Sequence, residues 1–259
     1  MPHIKSLKVV AVTGAAGYIG QRLLERLDKE TSIETIVATD NRPLGSTYNK
    51  VVFYQQEITH SLTQAFKKHK VEAVVHLAFA LRQKRSRKLG EKVNISGASS
   101  LLQSCNEAGV KRIVQLSSST VYGPHPDNPI FLQEDDPIRP PYQFQYAWDK
   151  ALSEHLFQEY GARHPDSDVS VLRSCIVMGP NANNFITSAL LKPLLIGIKG
   201  CNPPIQFVHE QDLVEVIWKF LSTSHPGVFN VAGRDVIKWA DVVKASRRPS
   251  VWLSPKLIY

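Results

Sequence analysis

With 259 residues, 43% of them hydrophobic and 21% charged, the chain has a globular composition that excludes collagen-like, mucin-like and disordered architectures and suits one large domain or one plus a smaller lobe. Cys105, Cys175 and Cys201 are odd in number and lack CxxC spacing, against a disulfide framework or zinc site, and no apolar run reaches a membrane span, so a cytoplasmic protein without a membrane partner is expected. The formal net charge of +8 lies entirely between Lys67 and Arg112.

KVVAVTG, residues 8–14, reads as a buried strand that leads into a helix over 17–27. A signal peptide is the alternative for this opening stretch, but the glycine spacing after the strand accounts for it better. IETIVATD, 33–40, and VVFYQ, 51–55, are the second and third strands. A helical stretch over 60–69 precedes the fourth strand, VEAVVHLA, over 71–78. The basic run RQKRSRK, 82–88, reads most simply as a solvated loop, with an electropositive rim for an anionic substrate or cofactor as the sharper alternative. It lacks interleaved aromatics, and no zinc-finger or RNP-like pattern accompanies it, so no nucleic-acid partner is expected.

A helix over 91–108, stopped by Gly109, leads into the strand RIVQLSS, 112–118. A Pro- and Asp-rich loop, a helix over 142–160 and a strand SVLRSCIV, 170–177, follow; beyond Gly179 the pattern is more broken. Short apolar strands alternating with helices imply an α/β fold, a doubly wound parallel sheet of Rossmann type covered by helices on both faces, with a small C-terminal lobe.

The strongest local signal is TGAAGYIG, 13–20, between a buried strand and an amphipathic helix. Gly14 permits a tight turn, Gly17 lets the backbone approach a pyrophosphate, and Gly20 lets helix and strand pack closely. The N-terminus of that helix then faces the phosphates. Asp40 ends the second strand, 20 residues after Gly20. A carboxylate there accepts hydrogen bonds from the adenosine ribose hydroxyls and repels a 2′-phosphate, which favours NAD over NADP; Arg42, two residues on, softens that preference. The plainer reading of the glycines is a structural turn, but the context is right on both sides.

Tyr146 and Lys150, in YAWDK, share one face of a predicted helix. A tyrosine with a pKa near 10 is a poor acid–base catalyst, and a neighbouring ammonium lowers that value. LSSSTVYG, 116–123, follows a predicted strand at its C-terminal end, where open α/β sheets place their ligands. There the Ser118 hydroxyl could hold a substrate oxygen while Tyr146 moves its proton. An accidental surface pair and a Ser-rich turn that satisfies its own backbone are the bland alternatives.

TGxxGxxG, the acidic residue after the second strand, VHLA, SSxxVYG and YxxxK occur here in order, and LRSCIVMGP and FVHEQDL follow. The sequence resembles the extended short-chain dehydrogenase/reductases of the NAD-dependent epimerase/dehydratase family over nearly its whole length. The resemblance implies a catalytic set of Ser118, Tyr146 and Lys150, with Asn94 supporting the active-site backbone. It implies a cofactor set of Gly14, Ala16, Gly17, Tyr18, Ile19, Gly20, Asp40, Asn41, Arg42, Glu57, Ile58, Leu77, Ala78, Tyr146 and Lys150, and no metal. His209 and Asp212 match positions that brace the loop over the site. Residues 1–180 form the NAD-binding domain on this reading, 205–232 return to it, and 181–259 form a small substrate lobe, with truncation left open. Family members commonly pair through the helices around YxxxK, so a homodimer is an expectation by analogy.

The sequence also departs from the family pattern. Glu57 stands where an Asp usually meets the adenine, Ile176 where nucleotide-sugar epimerases carry Asn, and Ile205 where they carry an Arg for the diphosphate. The leading reading is an NAD-dependent oxidoreductase that exchanges hydride at a secondary alcohol or ketone of a small molecule, with Tyr146 as acid–base. A nucleotide-sugar 4-epimerase or dehydratase is the alternative. A non-catalytic NAD-sensing regulator is a further one, although it has no need of the Tyr and Lys.

Overall fold

β-Branched and aliphatic runs too short to be helices alternate with amphipathic segments, and the computed structural model, which describes residues 7–80 and 87–257, turns them into strands and helices. In chain order these are β1 (Val9–Thr13), α1 (Tyr18–Asp28), β2 (Thr35–Asp40), β3 (Val51–Gln55), α2 (Thr63–His69), β4 (Ala73–His76), α3 (Arg87–Ala108) and β5 (Arg112–Ser118). A 3-10 turn, Ser119–Tyr122, precedes α4 (Gln145–Arg163) and β6 (Asp168–Ser174). The rest comprises β7 (Ile176–Met178), α5 (Phe185–Leu190), β8 (Leu195–Ile198), β9 (Pro204–Ile205), β10 (Phe207–His209), α6 (Glu210–Ser222), β11 (Gly227–Val231), β12 (Ile237–Lys238), α7 (Trp239–Ala245) and β13 (Ser250–Leu253).

Seven strands form one parallel sheet in the order β11-β6-β5-β4-β1-β2-β3. Their side chains alternate between two cores. Val10, Val12, Ile36, Ala38, Val75 and Leu172 face α1 and α6, while Ala11, Val37, Val74, Ile113 and Val171 face α2, α3 and α4. Leu23, Leu24 and Leu27 of α1 are wholly buried in the first core, each stabilising the fold by roughly 1.5–3 kcal/mol. From β1 the chain first winds outward through β2 and β3, then returns to β4 on the other side. The reversal opens a crevice between the C-terminal ends of β1 and β4, where such sheets bind ligands. Three two-stranded ladders, β7 with β10, β9 with β12 and β8 with β13, stand outside the main sheet. Among the described residues no helix is long and apolar enough to cross a membrane, and all three cysteines are free thiols.

Most boundaries differ from the expectations by a few residues, and three of the differences have a visible physical cause. The expected single strand over 170–177 is two, divided at Cys175: β5 ends at Ser118 opposite Ser174, and the last bond to the main sheet is Cys175 N–H on the Val231 carbonyl of β11 at 2.9 Å. Residues 176–178 pair instead with β10. The helix expected from Tyr142 begins at Gln145, since Pro140 and Pro141 lead into a turn closed by Phe144 N–H on the Pro141 carbonyl at 2.9 Å. Of the basic run 82–88, residues 82–86 lie outside the described residues, and Arg87 and Lys88 open α3 rather than a loop.

A buried ion pair ties the sheet to α4. Arg173 of β6 donates from Nε and Nη2 to Glu154 Oε1 at 3.0 and 2.6 Å, with the two side chains 3% and 0% exposed. Ser117 supplies a hydroxyl to Glu154 Oε2 at 2.7 Å, and Arg173 Nη1 reaches the Tyr122 hydroxyl at 2.7 Å and the Glu134 carbonyl at 2.8 Å. Removing one partner of such a pair strands the other charge in the interior. Arg173→Met is therefore expected to cost about 3–5 kcal/mol in urea unfolding, and adding Glu154→Leu should restore most of that loss. A single substitution costing no more than a surface pair would show that the two charges are not mutually dependent.

Candidate active site

The turn after β1 fixes the floor of the crevice. Gly14 has φ +71°, and a Cβ there would lie 2.5 Å from the Ala78 nitrogen on the neighbouring turn after β4. At Gly20 a Cβ would lie 2.3 Å from the Gly14 carbonyl, so the first turn of α1 packs directly on the loop. Gly17 caps α1 without a side-chain hydrogen bond, and no acidic residue occupies the first turn. The opening N–H groups of the helix, Tyr18, Ile19 and Gly20 among them, have no partner within it and carry the positive end of its dipole. A diphosphate fits that donor set.

Asp40, at the end of β2, locks this loop. Its Oδ2 accepts from Ala16 N–H at 3.0 Å, and its Oδ1 from Arg42 N–H at 3.0 Å. Arg42 Nε approaches the same Oδ1 at 3.4 Å, so the two sit together as an ion pair rather than apart. Oδ2, with a single donor, keeps a lone pair for a ribose hydroxyl, whereas Oδ1 already accepts twice from Arg42. Asn41 and Glu57, both in the expected cofactor set, meet through Asn41 Nδ2 and Glu57 Oε1 at 3.1 Å. Ile58 packs where a Cβ on Gly97 of α3 would fall. Leu77 and Ala78 lie across the crevice, their N–H groups donating to the carbonyl and hydroxyl of Thr13 at 3.2 and 3.4 Å. Tyr18 donates its hydroxyl to Glu210 at the start of α6, and Glu210 also receives Asn181 Nδ2 at 2.7 Å.

The side chains expected to carry the chemistry gather where α4 meets the ends of β4 and β5. Ser118 is the last residue of β5; its hydroxyl oxygen accepts from Thr120 Oγ1 at 2.9 Å and hydrogen-bonds the Tyr146 hydroxyl. Tyr146 and Lys150 share one face of α4, and Lys150 Nζ donates to the Leu116 carbonyl at 2.8 Å. Burial raises the Tyr146 pKa, while the Ser118 hydrogen bond opposes that rise. Burial also lowers the Lys150 amine to about 7, with the Glu154 carboxylate pulling the other way. His76, at the end of β4, is held at about 3 by burial and by Lys150, so it is neutral and its Nδ1 meets the Thr13 hydroxyl at 2.8 Å. Asn94 touches neither Tyr146 nor Lys150 in these contacts: its amide binds the Ala80 N–H at 2.8 Å and Asp149 at 3.0 Å, a positioning rather than a catalytic place. His209 caps α6 through Gln211 N–H at 3.3 Å.

The expected residues thus fall into two groups, a loop-and-carboxylate end around Gly14 and Asp40 and a hydroxyl-and-amine end around Ser118, Tyr146 and Lys150. Sequence reasoning missed Phe79, whose ring lies edge-on to Tyr146 with centroids 5.4 Å apart and whose centroid is 4.2 Å from Lys150 Nζ. It also missed the support from Glu154 and Arg173. The signal for that support was present, since a charged residue inside the apolar run SVLRSCIV demands a buried partner.

Comparison with known proteins agrees with this arrangement. A family model described as the NAD dependent epimerase/dehydratase family matches residues 10–232. An uncharacterised protein of Mycobacterium tuberculosis is 28% identical over 255 residues, covering 95% of this chain and 68% of the relative. The UDP-glucuronate 4-epimerase of Thermodesulfobacterium geofontis is 32% identical over 298 residues, covering 91% of this chain and 88% of the relative. The structure of MoeE5 in complex with UDP-glucuronic acid and NAD superposes with a TM-score of 0.80 at 27% identity, covering 95% of this chain and 85% of that one. With a matching model over most of its length, the glycine turn at the switch point and the Ser, Tyr and Lys at one crevice, the chain belongs to the NAD-dependent epimerase/dehydratase family.

Proposed function

We propose that the protein is an NAD-dependent oxidoreductase that exchanges hydride at a secondary alcohol or ketone, with Tyr146 as acid–base. The observation that carries this reading is the meeting of Tyr146 and Lys150, one turn apart on α4, with the end of β5 that presents Ser118, where Lys150 Nζ holds the Leu116 carbonyl, at the crevice that the glycine loop also lines. Gly14, Gly17 and the α1 N-terminus hold the diphosphate, Asp40 takes the adenosine ribose, Asn41, Arg42, Glu57 and Ile58 surround the adenine end, and Leu77 and Ala78 line the middle. When bound, NAD supplies the carbon that accepts or returns hydride.

In the oxidation direction Tyr146 Oη takes the substrate hydroxyl proton as the carbon–hydrogen bond gives up its electron pair and the carbonyl forms. Ser118, whose oxygen already accepts from Thr120, has one hydroxyl hydrogen: it donates toward the phenolate before substrate arrives and to the substrate oxygen, which it orients, afterwards. Charged Lys150 stabilises that phenolate. The division at residue 180, with 205–232 returned to the sheet and 181–259 as substrate lobe, is supported by β11 pairing with β6 while β8, β9, β12 and β13 stand in separate ladders. The same reading assigns a cytoplasmic homodimer acting on a small molecule, with an anionic substrate as the option that the net charge suggests.

Tyr146→Phe removes the proton carrier and leaves the ring. Turnover should fall about 10²- to 10⁴-fold while NAD affinity, read by titration calorimetry, stays within about twofold; retained activity would sink the acid–base assignment. Asp40→Ala removes a charged acceptor worth about 1.5–3 kcal/mol. NAD should bind roughly 10- to 100-fold more weakly, and the preference over NADP should narrow. An unchanged NAD-to-NADP ratio removes Asp40 from the ribose site.

Nucleotide-sugar epimerisation is a second reading, favoured by the 32% identity to a UDP-glucuronate 4-epimerase over most of both chains. It requires the cofactor to stay and be restored within one turnover. Protein purified, denatured and assayed for released nucleotide should yield stoichiometric NAD on that reading, and little or none if the cofactor leaves as NADH after each oxidation.

A further inference from the structure

Phe79 is the first residue past Ala78, on the turn after β4, and its half-buried ring faces both reacting side chains of α4. The Lys150 nitrogen lies 4.2 Å from the centroid of the Phe79 ring but 6.0 Å from that of Tyr146. Phe144, at the cap of α4, lies against Tyr146 with centroids 5.8 Å apart, so the phenol is flanked by aromatic rings on two elements. A lysine ammonium within about 6 Å of a ring centroid is attracted by the ring's negative face, and the attraction strengthens where water is excluded.

Among the described residues, the charged groups around Lys150 do not otherwise secure its proton. On its own helix Glu154 favours the charged form, but its Oε1 is committed to Arg173 and its Oε2 to Ser117. His76 of β4 faces Lys150 and is neutral, adding nothing attractive. Tyr146 in its protonated form offers no counter-charge. From β5 there is only the Leu116 carbonyl, a neutral acceptor. Burial pulls the amine down to about 7, so at neutral pH the ammonium is no longer assured.

We propose that Phe79 is a positioning residue for the reaction, whose ring face holds Lys150 as an ammonium beside Tyr146 and seals that pair from water. The inference rests on the proposed role of Lys150, and it adds a side chain that no motif of the sequence includes. Because the ring attracts only the charged form, its removal lowers the Lys150 pKa, and less ammonium remains at neutral pH to stabilise the phenolate.

The test is a set of substitutions that separate ring electrostatics from bulk. Phe79→Leu keeps an apolar wall without a ring face; Phe79→Tyr and Phe79→Trp keep the face. The Lys150 pKa is read by NMR of the lysine Cε signals in isotopically labelled protein without cofactor, with the resonance identified by its loss in Lys150→Met. Phe79→Leu should lower that pKa by roughly 0.5 to 1, and kcat at neutral pH should fall roughly two- to fivefold with KM changed less than kcat. Phe79→Tyr and Phe79→Trp should keep the parental pKa. Near-ultraviolet circular dichroism and the urea midpoint establish that each variant is folded.

An unchanged pKa in Phe79→Leu overturns the proposal, as does a fall of equal size in the Tyr and Trp variants, which would assign the effect to shape alone. Failure of the underlying reading looks different. There Tyr146→Phe and Lys150→Met keep full turnover, whatever happens to the lysine pKa when Phe79 is replaced.

Discussion

The contact between Arg173 and Glu154 is the constraint on which the reaction centre depends, because each group it recruits carries part of that centre. Glu154 lies one turn beyond Lys150 on α4, and its second oxygen receives the hydroxyl of Ser117, the residue before Ser118. On the far side of the guanidinium, Arg173 reaches Tyr122, which ends the 3-10 turn after β5, and the Glu134 carbonyl. Asn230 of β11 completes the cage by donating its N–H to Glu134 at 2.7 Å and its amide to the Leu132 carbonyl at 2.9 Å. One buried guanidinium therefore fixes the strand that presents Ser118, the helix that presents Tyr146 and Lys150, and the loop between them. An apolar substitute of equal volume could match its stability, but not its registry of four separate backbone segments.

The crevice orders its charges along its length, and the order follows from backbone as much as from side chains. Asp40 places an acceptor at the β2 end, the α1 N-terminus places donors in the middle, and Lys150 places a cation at the β5 end. A dinucleotide presents hydroxyls, phosphates and hydroxyls in that sequence. Asp40 belongs to the loop as well as to the ligand site, since it holds the Ala16 N–H that shapes the turn. The carboxylate that would select the ribose is thus pre-organised by the element that would bind the phosphates.

The parts of this arrangement that were legible in the sequence are those whose cause is local. The glycine turn is readable because a positive φ and two close backbone approaches each demand glycine within eight residues. Tyr146 and Lys150 are readable because helical spacing alone puts them together. The break at Cys175 was not readable, since it depends on where the neighbouring strand β5 runs out of residues. Asn94 was named through the family resemblance, but its partner Asp149, 55 positions away on another helix, was not readable. Phe79 was hidden by its apolar context: next to VHLA it reads as the tail of a buried strand, and only the placement of α4 turns its ring toward Lys150.

Burial has opposite effects on the two groups that must cooperate. It raises the Tyr146 phenol and lowers the Lys150 amine, so each taken alone is driven toward its neutral form. Moving one proton from phenol to amine would create two buried charges, and at close range their mutual attraction returns part of the desolvation cost. The balance between the neutral and the charged pair is therefore open to the groups around it. Ser118, with its acceptor side filled, leans on the phenolate; Glu154 and Phe79 lean on the ammonium. Each is too weak to decide the matter alone, and all three act toward the charged pair. On the proposed reading, a substrate hydroxyl arriving at Ser118 would then meet a proton acceptor that the surrounding fold has already biased, without either charge having to be exposed to water.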